Sequence, residues 1–247
     1  GKATGSLDLG GTLKKTNFNY NIAIEDGTFD VFELGKVFSN GTYNSRYLKI
    51  NKLESEYNNN IIFGDGMVPF DLNIDSKNLG SFFNDDSISF KVNGDLNRLF
   101  FLSPYLSDLD SIAGEIDIEL SLNGQMNELN RSGEIKIRNG TAYTLLLNDP
   151  IKNISLDAKM KNNNLVIQNM DGTIFHNNGK NSIPLKNNTV INGTVNFSTF
   201  FNPFYNLEIK SNDISFKTLY LDISGHGNLD LAIFGKDTVL IAGEIET

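Results

Sequence analysis

Few side chains in this sequence have the types and spacing that catalysis or metal binding requires. The 247 residues include no cysteine and no tryptophan, and only two histidines, His176 and His226. The lack of cysteine excludes disulfides, iron–sulfur clusters and thiolate zinc sites. Both histidines stand beside asparagine or glycine, so we interpret them as turn residues rather than as acid–base or metal-binding groups. The sequence therefore predicts no metal, no cofactor and no enzymatic activity.

The carboxylates and the overall charge also argue against a metal site, an enzymatic activity and a nucleic-acid partner. The acidic pairs Asp85-Asp86 and Asp108 with Asp110 lack the spacing of a calcium-binding loop. A polysaccharide-active enzyme would need paired carboxylates in a cleft with aromatic walls, and the absence of tryptophan argues against it. The formal net charge is −9 and the lysines are scattered, so we predict no nucleic-acid partner.

No stretch of the sequence has the length and apolarity of a membrane-spanning helix, and the first residues do not form a signal peptide. The chain begins on glycine and ends in a strand-like run, residues 243–247. We therefore expect it to be a piece of a longer protein, with any anchor or export segment lying elsewhere in the parent chain.

The dominant pattern is an alternation of apolar and polar residues with a period of two. In residues 116–123 every even position is aliphatic and every odd position is polar, as in a strand with one buried face. Such strands belong to antiparallel sheets. The same alternation occurs in residues 7–9, 18–24, 48–50, 135–137, 207–209, 219–223 and 229–231.

Asn-Gly and Asp-Gly dipeptides are strong hairpin signals, because both residues tolerate a positive φ. Nine of them predict the turns of a long meander of short strands. The one helix that the spacing allows is Leu96 to Asp110, interrupted by Pro104. The nine dipeptides are Asp26-Gly27, Asn40-Gly41, Asp65-Gly66, Asn93-Gly94, Asn123-Gly124, Asn139-Gly140, Asp171-Gly172, Asn178-Gly179 and Asn192-Gly193.

Weak internal repetition favours a sheet that grows by adding hairpins. Residues 114–118 are echoed by residues 227–231, and residues 58–62 by residues 162–166. The distance between the copies varies from pair to pair, which suits an elongated open sheet better than a closed barrel. We predict a unit over 1–87 and a second over 88–247, as parts of one continuous sheet.

An ordered series of glycines and aliphatic residues carries a family resemblance. From residue 88 onward the sequence resembles the C-terminal region of TamB, the translocation and assembly module subunit, within the AsmA-like group. The segments that carry the resemblance are 94–96, 99–104, 112–116, 133–137, 139–140, 150–154, 193–197, 202–204 and 225–229, together with Gly124.

The resemblance implies an envelope protein of a diderm bacterium. Proteins of this family are anchored in the inner membrane and cross the periplasm as a curled, taco-like β-sheet with an apolar trough. They meet a BamA-like outer-membrane barrel of the TamA type. They are implicated in phospholipid transport between the membranes and in outer-membrane protein assembly. The family has no catalytic residues, so the resemblance implies none here.

The alternating aliphatic residues are the candidates for contact with phospholipid acyl chains. Such a lining binds through methylene burial and needs no specific hydrogen bond. The alternative is a structural or adhesive β-repeat protein of the cell surface, in which the same residues form a closed core. The candidate lining residues are Ile116, Ile118, Leu120, Leu122, Ile135, Ile137, Leu229 and Leu231.

Overall fold

The computed structural model describes residues 1–29, 32–99, 109–125, 128–144, 147–177, 186–198, 203–219, 222–236 and 238–246. Within these ranges the chain forms β-strands joined by turns and loops, and it contains no α-helix. The strands are Lys2–Thr12 (β1), Lys15–Phe29 (β2), Phe32–Asn44 (β3), Tyr47–Tyr57 (β4), Asn60–Pro69 (β5), Ser87–Leu99 (β6), Leu109–Gln125 (β7), Asn130–Thr144 (β8), Ile151–Lys161 (β9), Asn164–Thr173 (β10), Thr189–Asn196 (β11), Phe204–Lys217 (β12), Ser224–Gly235 (β13) and Val239–Glu246 (β14).

The strands are hydrogen-bonded to one another strictly in chain order, in one 14-stranded sheet with β1 and β14 as its two edges. The registered pairs, such as β1 with β2 and β13 with β14, are antiparallel. The predicted all-β, open antiparallel meander is confirmed. The alternation favours this arrangement. A strand can bury its apolar face beside its neighbours only when the register places the apolar residues of all these strands on the same side of the sheet.

The sheet divides into two compact units that interleave along the chain. Unit 1 comprises residues 1–96 and 118–133, and unit 2 comprises residues 97–117 and 134–247. The predicted boundary between residues 87 and 88 stays a prediction.

The dipeptides predicted as hairpin turns lie inside strands instead. Eight of the nine are strand residues, from Asp26-Gly27 in β2 to Asn192-Gly193 in β11, and Asn178-Gly179 is outside the described residues. At Gly41 a Cβ atom would lie 2.0 Å from the carbonyl oxygen of Lys49, so close backbone approach requires glycine there.

Two of the hairpins that the structure describes have asparagine rather than a glycine dipeptide in the turn. Asn58 and Asn59 connect β4 to β5 with φ values of 49° and 62°, and Asn162 begins the equivalent turn between β9 and β10 with a φ of 56°. Both turns belong to the repeated Asn-Asn-Asn segments. Asparagine takes the left-handed conformation that a tight hairpin requires, and here it does so without glycine.

Two further sequence predictions are corrected. The predicted helix over 96–110 is wrong at both of its ends. Residues 96–99 are the last residues of β6, and residues 109–110 are the first residues of β7. Residues 100–108 lie outside the described residues. Strand pairing overrides the helical spacing of the leucines at these ends. Residues 219, 222 and 223 of the alternation at 219–223 are not in a strand either, because β12 ends at Lys217 and β13 begins at Ser224; residues 220 and 221 lie outside the description.

The connection between β5 and β6, residues 70–86, crosses the strand ends of unit 1 and is held by a buried asparagine. The Asn73 side chain accepts a hydrogen bond from the Thr16 amide at 3.0 Å and donates to the carbonyl oxygen of Ser45 at 2.9 Å. It also donates to Asp71 at 2.8 Å. A hydrogen bond from Ser76 is the main cause that lowers the pKa of Asp71 below its usual range.

Candidate functional site

The strands β9 to β14 present a nearly uninterrupted apolar face in unit 2, which we call the unit 2 apolar ladder. Residues paired across an antiparallel sheet point to the same side, so the strand register assigns each side chain to a face. The ladder has four rows: Met160, Leu165, Val195, Tyr205 and Gly235; Ala158, Ile167, Gly193, Leu207, Ile233 and Ile241; Leu156, Met170, Ile191, Ile209, Leu231 and Gly243; and Gly172, Thr189, Ser211 and Leu229.

The opposite side of the same strands is mostly polar and charged. Lys210 and Asp230 are register partners there, with Nζ 3.3 Å from Oδ2 and both side chains exposed. An exposed pair of this kind contributes about 0–1 kcal/mol to stability. The two sides of these strands therefore differ sharply in chemistry, as the alternation predicts.

Accessibility rises along the second row of the ladder from β9 to the β14 edge. Ala158 in β9 is 1% exposed, whereas Ile241 in β14 is 60% exposed. The side chains between them in this row, such as Leu207 and Ile233, are half-buried, whereas Val195 and Tyr205 in the first row are buried. Apolar surface that remains open to solvent over several strands is available for an apolar ligand.

Two hydroxyl groups interrupt the ladder: Ser211 donates a hydrogen bond to Thr189, and Thr189 donates one to Oδ1 of Asn188 at 3.3 Å. Ser211 Oγ lies 2.9 Å from Thr189 Oγ1, and both residues are buried. A buried hydroxyl without a partner is costly, so this hydrogen bond allows a polar pair to sit on an otherwise apolar face.

Unit 1 has a similar face, which we call the unit 1 apolar face. Its side chains are exposed at Leu7 and Leu9 on the edge strand β1, whereas Tyr43 in β3 and Leu96 in β6 are buried. Its rows are Leu9, Phe18, Tyr43, Leu48 and Val68; Leu7, Tyr20, Gly41, Ile50, Gly66 and Phe90; Gly5, Ile22, Ser39, Leu53, Gly64 and Val92; and Ala3, Ile24, Val37, Ser55, Ile62 and Gly94.

The eight residues proposed from the sequence fall into two groups by burial. Ile116, Ile118 and Ile137 are buried. The remaining five are half-buried, and two of them belong to the unit 2 apolar ladder. These five are Leu120, Leu122, Ile135, Leu229 and Leu231.

Most residues of the ladder are not among the candidates that the sequence indicates. In β11 the Asn192-Gly193 dipeptide indicates a turn, and this hides the alternation of Ile191, Gly193 and Val195. In β12 the alternation over 207–209 was recognised as a strand, but nothing in the pattern distinguished its residues from those of other strands. The register against β13 is the signal that joins them into one face.

Each histidine contacts an aspartate side chain. Nδ1 of His176 contacts the carboxylate of Asp149, and Nε2 of His226 lies 2.9 Å from Oδ1 of Asp213. Among the described residues no group of three or more histidine, cysteine, aspartate or glutamate side chains could hold a metal ion. Within the same ranges, no helix has the length and apolarity needed to cross a membrane.

One comparison with known proteins identifies the family. The family model of the TamB C-terminal domain matches residues 51–247, beginning earlier in the chain than the resemblance noted in the sequence. No curated protein and no solved structure matches the chain at a significant level. The match covers most of the chain and includes every strand of the unit 2 apolar ladder. The chain therefore belongs to the TamB family of bacterial envelope proteins, and residues 51–247 are its TamB C-terminal domain.

Proposed function

We propose that this protein carries phospholipid between the inner and outer membranes of a diderm bacterium, with the acyl chains lying against its apolar faces. The parent chain is anchored in the inner membrane, the described part lies in the periplasm, and the protein also supports outer-membrane protein assembly with a TamA-type barrel. Family membership supports the envelope setting. The observation that carries the lipid proposal is the unit 2 apolar ladder.

The size and chemistry of the ladder suit an acyl chain. Its six strands are separated by five steps of about 4.8 Å, which gives about 24 Å across the strands. Each methylene group removed from water contributes about 0.8 kcal/mol, so a partly covered acyl chain binds without any hydrogen bond. Because the rows repeat similar side chains, neighbouring positions have similar affinity and a chain can move from one row to the next.

The charge of the protein favours a headgroup that stays in solvent. The formal net charge is −9, and the outward side of the ladder strands carries carboxylates such as Glu208 and Asp230. These charges disfavour close contact with an anionic headgroup. The proposal therefore predicts weak headgroup selectivity and recognition through the acyl chain alone.

Site-specific photocrosslinking tests the proposal. A benzophenone side chain replaces Leu207 or Leu231 on the ladder, and replaces Glu208 or Ala232 on the opposite face as a matched control one residue away. After irradiation of cells that produce the parent protein, we expect phospholipid adducts by mass spectrometry at the two ladder positions. We expect none, or many fewer, at the control positions.

Equal adduct formation on both faces would contradict the proposal, because it would indicate nonspecific contact with lipid. No adduct at any position would also contradict it. That result would favour the structural or adhesive alternative, in which the apolar side chains serve only the protein's own core.

A further inference from the structure

One aromatic ring lies close to two glycines on the unit 1 apolar face. Phe90 is the register partner of Gly66, and Gly64 is two residues further along the same strand. A Cβ atom at Gly66 would lie 2.8 Å from Cδ2 of Phe90, and a Cβ atom at Gly64 would lie 3.0 Å from its Cζ. The ring therefore extends along β5, with one edge over each glycine.

The same arrangement occurs twice more, once in each unit. Tyr20 is the register partner of Gly41, where a Cβ atom would lie 2.8 Å from Cε1 and 2.9 Å from the hydroxyl oxygen. In unit 2, Phe216 is the register partner of Gly225, where a Cβ atom would lie 3.0 Å from Cζ. All three rings are half-buried on an apolar face.

The backbone does not demand glycine at two of these positions. Gly64 has an ordinary φ, and its nearest neighbours would be side-chain atoms, Cζ of Phe90 and Cδ2 of Leu53 at 3.3 Å. At Gly225 the three nearest atoms all belong to the Phe216 ring. A glycine in a strand weakens the strand, so its presence where only a ring would be crowded points to a requirement for close approach of the ring to the backbone.

We propose that these glycine–ring pairs set the depth of the acyl-chain path by letting aromatic rings lie close to the sheet. With a methyl group at Gly64 or Gly225, the ring must move away from that position by a few tenths of an ångström, towards the space above the apolar face. A raised ring occupies the layer in which an acyl chain would lie. This inference rests on the proposed lipid function. It assigns to the glycine–ring pairs a role in determining how much space an acyl chain has above the apolar face.

Glycine-to-alanine substitutions test the inference, with a matched control on the same face. Gly64→Ala and Gly225→Ala place a methyl group 3.0 Å from a ring, whereas at Gly94 the nearest atoms are 3.6 Å or more away. Each variant is purified in mild detergent, and retained phospholipid per protein is measured by mass spectrometry beside a thermal melt. We expect at least a twofold loss of lipid in the two ring-contact variants and no loss in Gly94→Ala.

A rescue variant distinguishes an effect on the acyl-chain path from an effect on folding. In the double variant Gly64→Ala/Phe90→Leu the ring is gone, so retained lipid should return towards the parent level. If the melting temperature of Gly64→Ala lies far below that of the parent, retained lipid is instead compared between the parent and Gly225→Ala, whose substitution lies in the other unit. The double variant is compared with the parent in the same way. Unchanged lipid in folded Gly64→Ala and Gly225→Ala would overturn the inference while leaving the lipid function standing. A parent protein that retains no lipid would overturn both.

Discussion

The substitution Ile118→Asp distinguishes a structural position from a binding position on the apolar side of β7. Ile118 is 8% exposed, and its Cβ lies 3.7 Å from the point where a Cβ atom of Gly94 would stand. Loss of the buried isoleucine costs about 1.5–3 kcal/mol. A carboxyl group left there without a partner costs about 1–3 kcal/mol more. The sum, about 2.5–6 kcal/mol, approaches the total stability of many domains.

The measurement is a urea titration followed by circular dichroism, with Val166→Asp as the control. Val166 is 37% exposed on the side of β10 opposite the ladder, so the new carboxylate stays in water and stability should change little. We expect Ile118→Asp to lower the unfolding midpoint strongly or to prevent folding. If the Ile118→Asp midpoint equals that of the parent, the side chain is accessible and our assignment of it to the structural core is wrong.

Three further predictions concern polar groups. Asn73→Ala should destabilise unit 1 by about 1–3 kcal/mol in a denaturant titration, because it leaves buried hydrogen-bonding groups unsatisfied. Thr189→Val should lower the free energy of unfolding by about 1–3 kcal/mol, because the buried Ser211 hydroxyl loses its acceptor. In the same titration the double variant Thr189→Val/Ser211→Ala should have a stability close to that of the parent, because no buried hydroxyl remains there. The lowered pKa of Asp71 stabilises the fold above the unfolded value of about 3.9, and this contribution is lost as the pH falls through the folded value. Acid titration should therefore show a shallower loss of stability in Asp71→Asn than in the parent. A slope in Asp71→Asn that matches the parent's would contradict this assignment.

The fold class could be predicted from the sequence because side-chain alternation is a local property. In residues 116–123 the alternation alone places the aliphatic side chains on one face, and the structure pairs this strand with its sequence neighbours. The glycine dipeptides do not identify turns by themselves, since a glycine can also be required by a close approach of the neighbouring backbone. At Gly41 the close approach is to the carbonyl oxygen of Lys49, and only the neighbouring strand reveals it.

The site could be predicted only in part, because burial depends on the strands on either side. Ile116 and Leu229 have the same kind of sequence context, an aliphatic residue between acidic or polar ones, yet the first is buried and the second is half-buried. The sequence identified the face to which each belongs. The degree to which each face stays open required the register and the neighbouring side chains.

The most direct test of the account is the lipid content of the parent protein itself. The protein is expressed in bacteria, purified in mild detergent and extracted for mass spectrometry, with a soluble β-sandwich and the variant Leu231→Asp treated identically. The account predicts phospholipid well above the β-sandwich level in the parent and a clear reduction in Leu231→Asp. A folded, monodisperse parent protein that retains no phospholipid would contradict it.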